Sequence, residues 1–345
     1  MHSLKTPFQP GTFGNYIRFS RRGFLRTLTA APFGLAFGTV FQGCSSPESN
    51  AETFIGKADS YSDDIASLIL AGFRELHVSS QEIRGKRILL KANIVEPHRN
   101  AEQIVTHPSV VNAAAEAFLR LGADKVIVAE GPGHCRDTYG ILEESGFDKI
   151  MDRQRITFVD LNYDDWLTIP NAGAKTKLKS FVVPATLKQV DWIVSMPKLK
   201  THHWAGVTLS MKNMFGALPG SFYGWPKNVF HQQGIEASII DINSTLRPHF
   251  AIVDGIVGME GDGPIMGTAK KAGVIVMGRN LTATDATCAR LMGINPYKVK
   301  YLADAKGMLG PLNESLIAQR GEGWKTVHTD FQLLDYIQAQ QGLRL

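Results

Sequence analysis

Residues 195–220 read SMPKLKTHHWAGVTLSMKNMFGALPG, a run that gathers three lysines, two adjacent histidines and an asparagine in a sequence of 345 residues. Lys198 and Lys200 alternate, so an extended backbone directs both to one side. His202 and His203 follow, and then Lys212 beside Asn213. The window also holds Trp204, Val207, Leu209, Met211, Met214 and Phe215, which predicts a partly buried segment rather than a solvated basic loop. Lysines drawn into apolar surroundings need anionic partners. A bound carboxylate or phosphate would serve, and so would carboxylates from elsewhere in the chain.

Three other stretches share this design. RILLK (87–91) ends in Lys91 and runs into Ala92 and Asn93. KVIVA (125–129) runs into Glu130, Gly131, Pro132, Gly133 and His134. FAIVD (250–254) ends in Asp254 and continues as GIVGMEGDGP, where Glu260 and Asp262 alternate with Gly261 and Gly263. The lysine window itself follows WIVSM (192–196). Each stretch has an apolar interior and an end rich in Gly, Pro and ionisable groups. Ligands of open parallel sheets bind outside the carboxyl ends of the strands. The four ends therefore predict one polar site built from segments far apart in sequence.

Positive charge at Lys91, Lys198, Lys200 and Lys212 suits a small anionic ligand and the stabilisation of developing negative charge. The catalytic set is read as Lys198, Lys200, His202, Lys212 and Glu260. Substrate contacts are read as Lys91, Asn93, Glu130, Gly131, Gly133, Asn213, Gly261 and Gly263, the glycines bringing backbone N–H groups close to an anion. Carboxylates two residues apart suit a hard cation or acid–base work. Combined with imidazoles they make a divalent-metal reading for His134, His203, Asp254 and Asp262. His107, in Thr106-His107-Pro108, reads first as a helix start and second as a ligand. Plain turns and solvated loops stay open beside each of these roles. The chain has no H-E-x-x-H, G-x-S-x-G or Walker motif, and lacks G-x-G-x-x-G after its first strand. A standard dinucleotide fold is therefore disfavoured.

The elements that must position these groups follow from periodicity. Apolar positions at helical spacing predict helices over 62–76, 108–121, 137–145, 211–218, 228–246, 282–292, 297–306 and 331–340. Strands are expected at 87–91, 125–129, 155–161, 192–196, 250–254 and 273–277, with a hairpin insertion within 163–186. Strands alternating with helices predict an α/β fold, a mostly parallel sheet covered by helices on both faces.

The formal charge is +5, but residues 1–44 carry five of the 37 Lys and Arg residues and none of the 32 Asp and Glu. The remainder is balanced, and no basic stripe interleaved with aromatics appears, so nucleic acid is not an expected partner. Ser20-Arg21-Arg22-Gly23-Phe24-Leu25-Arg26 matches a twin-arginine export signal, and the apolar stretch 28–41 that follows is short for a membrane span. Cys44 after Gly43 resembles a lipoprotein cleavage site. The expected organisation is a signal and lipoprotein-type segment at 1–44, a polar tether at 45–58 and one domain at 59–345. The expected location is the periplasm or cell envelope, with the export machinery and the membrane as partners. Cys135 and Cys288 are then the remaining thiols, too few to ligate an iron–sulfur cluster and able to form at most one disulfide.

LLKANIVEP, THP leading into a helix and then KVIVAEGPG, SMPKLKTHHWAGVTLSMKNMFGALPG and VDGIVGMEGDGP together resemble the signatures of the DUF362 family over roughly 85–310. Ala92 stands where the pattern leads one to expect Pro. The resemblance implies a domain of unknown function, in some members fused to ferredoxin-type modules, and assigns no catalytic residue. Redox chemistry with a partner protein is the class that this context and twin-arginine export favour. A non-catalytic binding protein for an anion or metal complex, or a maturation protein for a redox enzyme, are the other readings.

Overall fold

The apolar runs that end in reactive residues are neighbours in one sheet. A computed structural model describes residues 50–98, 100–151 and 156–345. Its strands are β1 (Ala51–Lys57), β2 (Arg87–Lys91), β3 (Lys125–Glu130), β4 (Ile156–Asp160), β5 (Trp166–Pro170), β6 (Ser180–Pro184), β7 (Trp192–Ser195), β8 (Lys198–His202), β9 (Gly206–Thr208), β10 (Phe250–Glu260), β11 (Thr268–Gly278) and β12 (Ile317–Gly321). The main sheet runs β12-β1-β11-β10-β7-β2-β3-β4. β10, β7, β2, β3 and β4 are mutually parallel, and β11 is antiparallel to both its neighbours. The fold is α/β with a mostly parallel sheet, and the short antiparallel pair β5–β6 stands apart as the hairpin read from the sequence.

Parallel strands buried on both faces carry apolar side chains in every position. Along β2, Ile88 and Leu90 enter one core and Leu89 the other; along β3, Val126 and Val128 oppose Ile127 and Ala129. The first core lies under the helices Ile65–Glu75 and Pro108–Arg120, the second under Ile235–Leu246 and Leu281–Leu291. Each fully buried Ile or Leu contributes on the order of 2 kcal/mol. The helix Pro108–Arg120 starts where Pro occupies the first turn and His107 Nδ1 accepts from Ser109 N at 3.2 Å.

Several expectations are corrected. The second half of the expected tether is β1, paired with β11 on one side and β12 on the other. β10 does not stop at Asp254 but continues to Glu260 and pairs with β11, so the expected glycine loop begins only at Gly261. The helix expected over 228–246 breaks at Gly234, whose φ is 95°, into Asn228–Gln232 and Ile235–Leu246. Of the helix expected over 331–340 only the 3-10 turn Gln338–Gln340 forms. Cys44 and the segment 1–44 lie outside the described residues. Among those residues, no helix is long and apolar enough to cross a membrane.

Candidate functional site

β7 ends at Ser195, and Met196-Pro197 carry the chain sideways onto β10. There β8 pairs in parallel with the far half of β10, Asp254 opposite Lys198 and Met259 opposite Lys200. The step makes β8 wholly buried. Its alternation sends both lysines toward the 104–107 loop. Lys198 Nζ lies 2.6 Å from Asp254 Oδ2 and 2.9 Å from Tyr61 Oη. Asp254 also accepts from His107 N at 2.9 Å and Ile256 N at 3.3 Å, and the Tyr61 ring stacks on His107 at 3.7 Å. Lys200 Nζ donates to Ile104 O at 2.7 Å and Pro264 O at 3.1 Å. With no carboxylate beside it, burial pushes the Lys200 ammonium well below the ordinary lysine range, helped by the charge of Lys198.

β2 and β3 build a second centre. Lys91 and Glu130 form an ion pair of 2.7 Å with side chains 0% and 3% exposed. Lys91 Nζ also donates to Ala92 O and Asn213 Oδ1, while Glu130 accepts from Ile94 N at 2.8 Å and Gly131 N at 2.9 Å. Asn213 Nδ2 fixes this arrangement from the Ser210–Asn213 turn, donating to Lys91 O and Ser195 Oγ.

In front of this pair opens a cleft of about 180 Å³. Lys212, Lys227, His202, His231, Trp204 and Phe215 form much of its wall. Lys227 has φ 69°, a left-handed backbone unusual for a side-chain-bearing residue. That turn aims Nζ at Gly131 O (2.9 Å), Asn162 Oδ1 (3.3 Å) and Pro132 O (3.4 Å). Burial lowers it to about 8. Lys212 Nζ, among the described residues, has neither an acceptor nor an ion-pair partner and sits 4.1 Å over the Phe215 ring. Burial, and after it the charges of Lys227 and Lys91, push it down to about 7, against the pull of Glu130. His202 Nδ1 accepts from Trp204 N at 3.0 Å and Ala205 N at 3.3 Å, so its proton sits on Nε2. Burial holds it well below its ordinary value, so it works as a neutral donor. His231 is likewise pushed down to about 4 by burial and by Lys212. Among the described residues, Asn93 Oδ1 and Thr208 Oγ1, from residues 4% and 3% exposed on the cleft wall, have no partner.

Of the sequence candidates, Asn93, Glu130, Gly131, Gly133, His134, His202, His203, Lys212 and Asn213 line this cleft. Lys91, Lys198, Lys200 and Asp254 are buried outside it, their polar atoms bonded within the protein. Glu260 does not reach the cleft: it accepts from Gln332 N at 2.9 Å and pairs with Lys270 at 3.5 Å. The glycines offer no N–H to an anion. Gly131 N is bonded to Gly216 O, Gly133 N to Val95 O, Gly261 N to Gln332 O and Gly263 N to Gly261 O. Gly131 is needed for closeness instead, since a Cβ there would lie 2.7 Å from Gly216 O. The metal candidates do not converge. His134 pairs with Glu96, His203 with Asp262 and Asp254 with Lys198, and no group of three such ligands occurs among the described residues. Both thiols are free, Cys135 exposed and Cys288 buried.

Lys227, His231 and Thr208 are the wall residues that sequence reasoning missed. Thr208 lies within the 195–220 window, and for Lys227 the signal is the breaker run Gly224-Trp225-Pro226, which marks a sharp turn without giving its direction.

A thylakoid-associated protein of Synechocystis sp. is 26% identical over 227 residues, 64% of this chain and 67% of that protein. Two solved structures align more loosely. A Thermotoga maritima protein gives a TM-score of 0.38 at 12% identity over 68% of this chain, and the lactate racemase apoprotein of Thermoanaerobacterium thermosaccharolyticum gives 0.42 at 13% over 75%. The chain spans 60% of each of those structures, and at such scores neither bears on function. The model of one family, described as a domain of unknown function, matches residues 88–290, more than half of the chain, and the protein belongs to that family, DUF362.

Proposed function

We propose that this protein binds a small organic anion in the Lys212–Lys227 cleft and acts on it as an enzyme of the cell envelope. One observation carries the binding reading. Among the described residues, two lysines line the cleft without an ion-pair partner, while its one carboxylate, Glu130, is already matched by Lys91. Uncompensated cations in a partly apolar cleft favour an anion over a neutral ligand. The orphaned Asn93 Oδ1 and Thr208 Oγ1 suit an oxygen-rich ligand, a hydroxy- or oxo-carboxylate, because binding would satisfy them. Lys212, at about 7, lines the same cleft and can exchange protons near neutrality with the bound molecule. The twin-arginine and Cys44 readings support export and lipid anchoring, and the thylakoid association of the Synechocystis relative supports a place beside a membrane.

Calorimetric titration with glycolate at pH 6.5 tests the binding. The expected result is a single site that Lys227→Met weakens by at least about tenfold, the loss of one desolvated charge contact. Folded protein that takes up neither glycolate nor any other small carboxylate or phosphate refutes the reading.

A further inference from the structure

We infer that Lys212 is a nucleophile that forms an imine with an anion bearing a carbonyl group, an oxo acid or aldehyde acid, while Lys227 remains the cation that holds the ligand's charge. The inference rests on the anion-binding reading of the cleft and names its substrate class.

The geometry separates Lys212 from every other lysine around the site. Lys91 bonds Glu130, Ala92 O and Asn213. Lys198 bonds Asp254 and Tyr61, and Lys200 bonds two carbonyls. Lys227 bonds Gly131 O, Pro132 O and Asn162. Each of these ammoniums ties two segments together and has its protons engaged. Lys212 ties nothing: it faces the cleft with its amine against an aromatic ring. An amine kept from acceptors and set beside other cations gives up its proton easily, which is how an amine nucleophile is made ready at neutral pH. Burial and the charges of Lys227 and Lys91 act in the same sense, lowering Lys212 to about 7.

The step balances without an oxidant or reductant. The neutral Nζ adds its lone pair to the carbonyl carbon; the nitrogen then loses one proton as the carbonyl oxygen gains one, giving a carbinolamine. That oxygen takes a second proton and leaves as water, the lone pair that deprotonation restored to nitrogen closes the C=N bond, and loss of the last N–H proton leaves the neutral imine. His231 lines the cleft and can relay these protons as a neutral imidazole. Its Nδ1 is within 3.3 Å of Lys227 O, an acceptor that holds the ring proton there and leaves the lone pair on Nε2. The unpartnered Asn93 Oδ1 and Thr208 Oγ1 meet the need of the added hydroxyl for hydrogen bonds.

The test uses glyoxylate as the carbonyl probe on the full-length protein at pH 7, followed by borohydride. Reduction fixes an imine as a carboxymethyl group on nitrogen, and peptide mass spectrometry reads the labelling of each lysine. An amine at about 7 is neutral on the order of a thousandfold more often at pH 7 than an exposed lysine near 10.4. Lys212 is therefore expected to label at least about tenfold faster than the exposed lysines, allowing for the lower intrinsic reactivity of a less basic amine. Equal or slower labelling, or preferential labelling of another lysine, overturns the inference. The readout is on the wild-type protein and does not depend on any variant folding. Glycolate, which has no carbonyl, separates the two readings. Glycolate binding without selective labelling sinks the nucleophile and spares the anion site; selective labelling without glycolate binding does the reverse.

Discussion

The Lys91–Glu130 pair should show strong coupling in a double-mutant cycle. Lys91→Met leaves Glu130, 2% exposed, with two backbone donors at 2.8 and 2.9 Å and no counter-charge. Removing one partner of a buried pair costs about 3–5 kcal/mol, and the surviving amides place this case near 3. Glu130→Gln strands the ammonium on Ala92 O and Asn213 Oδ1 and turns an amide NH₂ toward a backbone N–H, for a similar cost. The double variant removes both charges together. Its cost should fall short of the summed single costs by at least about 2 kcal/mol. Urea unfolding of the four proteins at pH 7 measures this, and each single variant should lose roughly 6 °C in Tm for a domain of this size. Single costs that add to within about 0.5 kcal/mol would refute the coupling. The same variants report on the cleft. Lys91 depresses Lys212 and Glu130 lifts it. Lys91→Met should therefore slow glyoxylate labelling of Lys212 at pH 7, and Glu130→Gln should speed it.

Glycolate affinity should fall as pH rises through about 7 to 8, since Lys212 and Lys227 are cationic below those values and neutral above them. The loss approaches about tenfold per pH unit for each proton required, and a flat profile from pH 6 to 9 would contradict it. Thr208→Val removes a buried hydroxyl with no partner, so thermal unfolding should move by less than about 1 kcal/mol while glycolate affinity drops. Lys198→Met leaves Asp254 buried without its cation and should destabilise by at least about 3 kcal/mol, with Asp254→Asn in the same background restoring part of it in urea melts.

Much of the architecture is legible in residue patterning. RILLK, KVIVA, WIVSM and FAIVD become adjacent parallel strands because uninterrupted apolar runs tolerate burial on both faces, and helices spaced between them supply the crossovers. β8 is legible in part. The alternation of Lys198 and Lys200 and their apolar neighbours predict a partly buried extended stretch whose lysines need anionic partners, and Asp254 is one of them, but the sideways step that lays the strand along β10 carries no mark in the sequence. The end of KVIVA marks Glu130 correctly, but the glycines at the strand ends keep their N–H groups for bonds within the protein. Choosing Lys212 among the lysines required knowing which acceptors surround each, and Ile104 O, Pro264 O and Ala92 O carry no mark in the sequence. Lys227 enters through a left-handed turn that residue type does not announce.

β1 has a consequence for the order in which the protein can be made. It lies between β11 and β12, with Thr53 opposite Gly278 and Ala51 opposite Ile317. The first strand of the domain therefore waits for the last before its second ladder can close, whatever has folded between them. Pairing across such sequence separations is slow, and it comes late in synthesis. A chain cut short before Ile317 would present AETFIGK as an uncovered edge, open to pairing with another copy. Completion of the C-terminal strand thus protects the N-terminal one, and a truncated product should be found in aggregates rather than as a smaller folded protein.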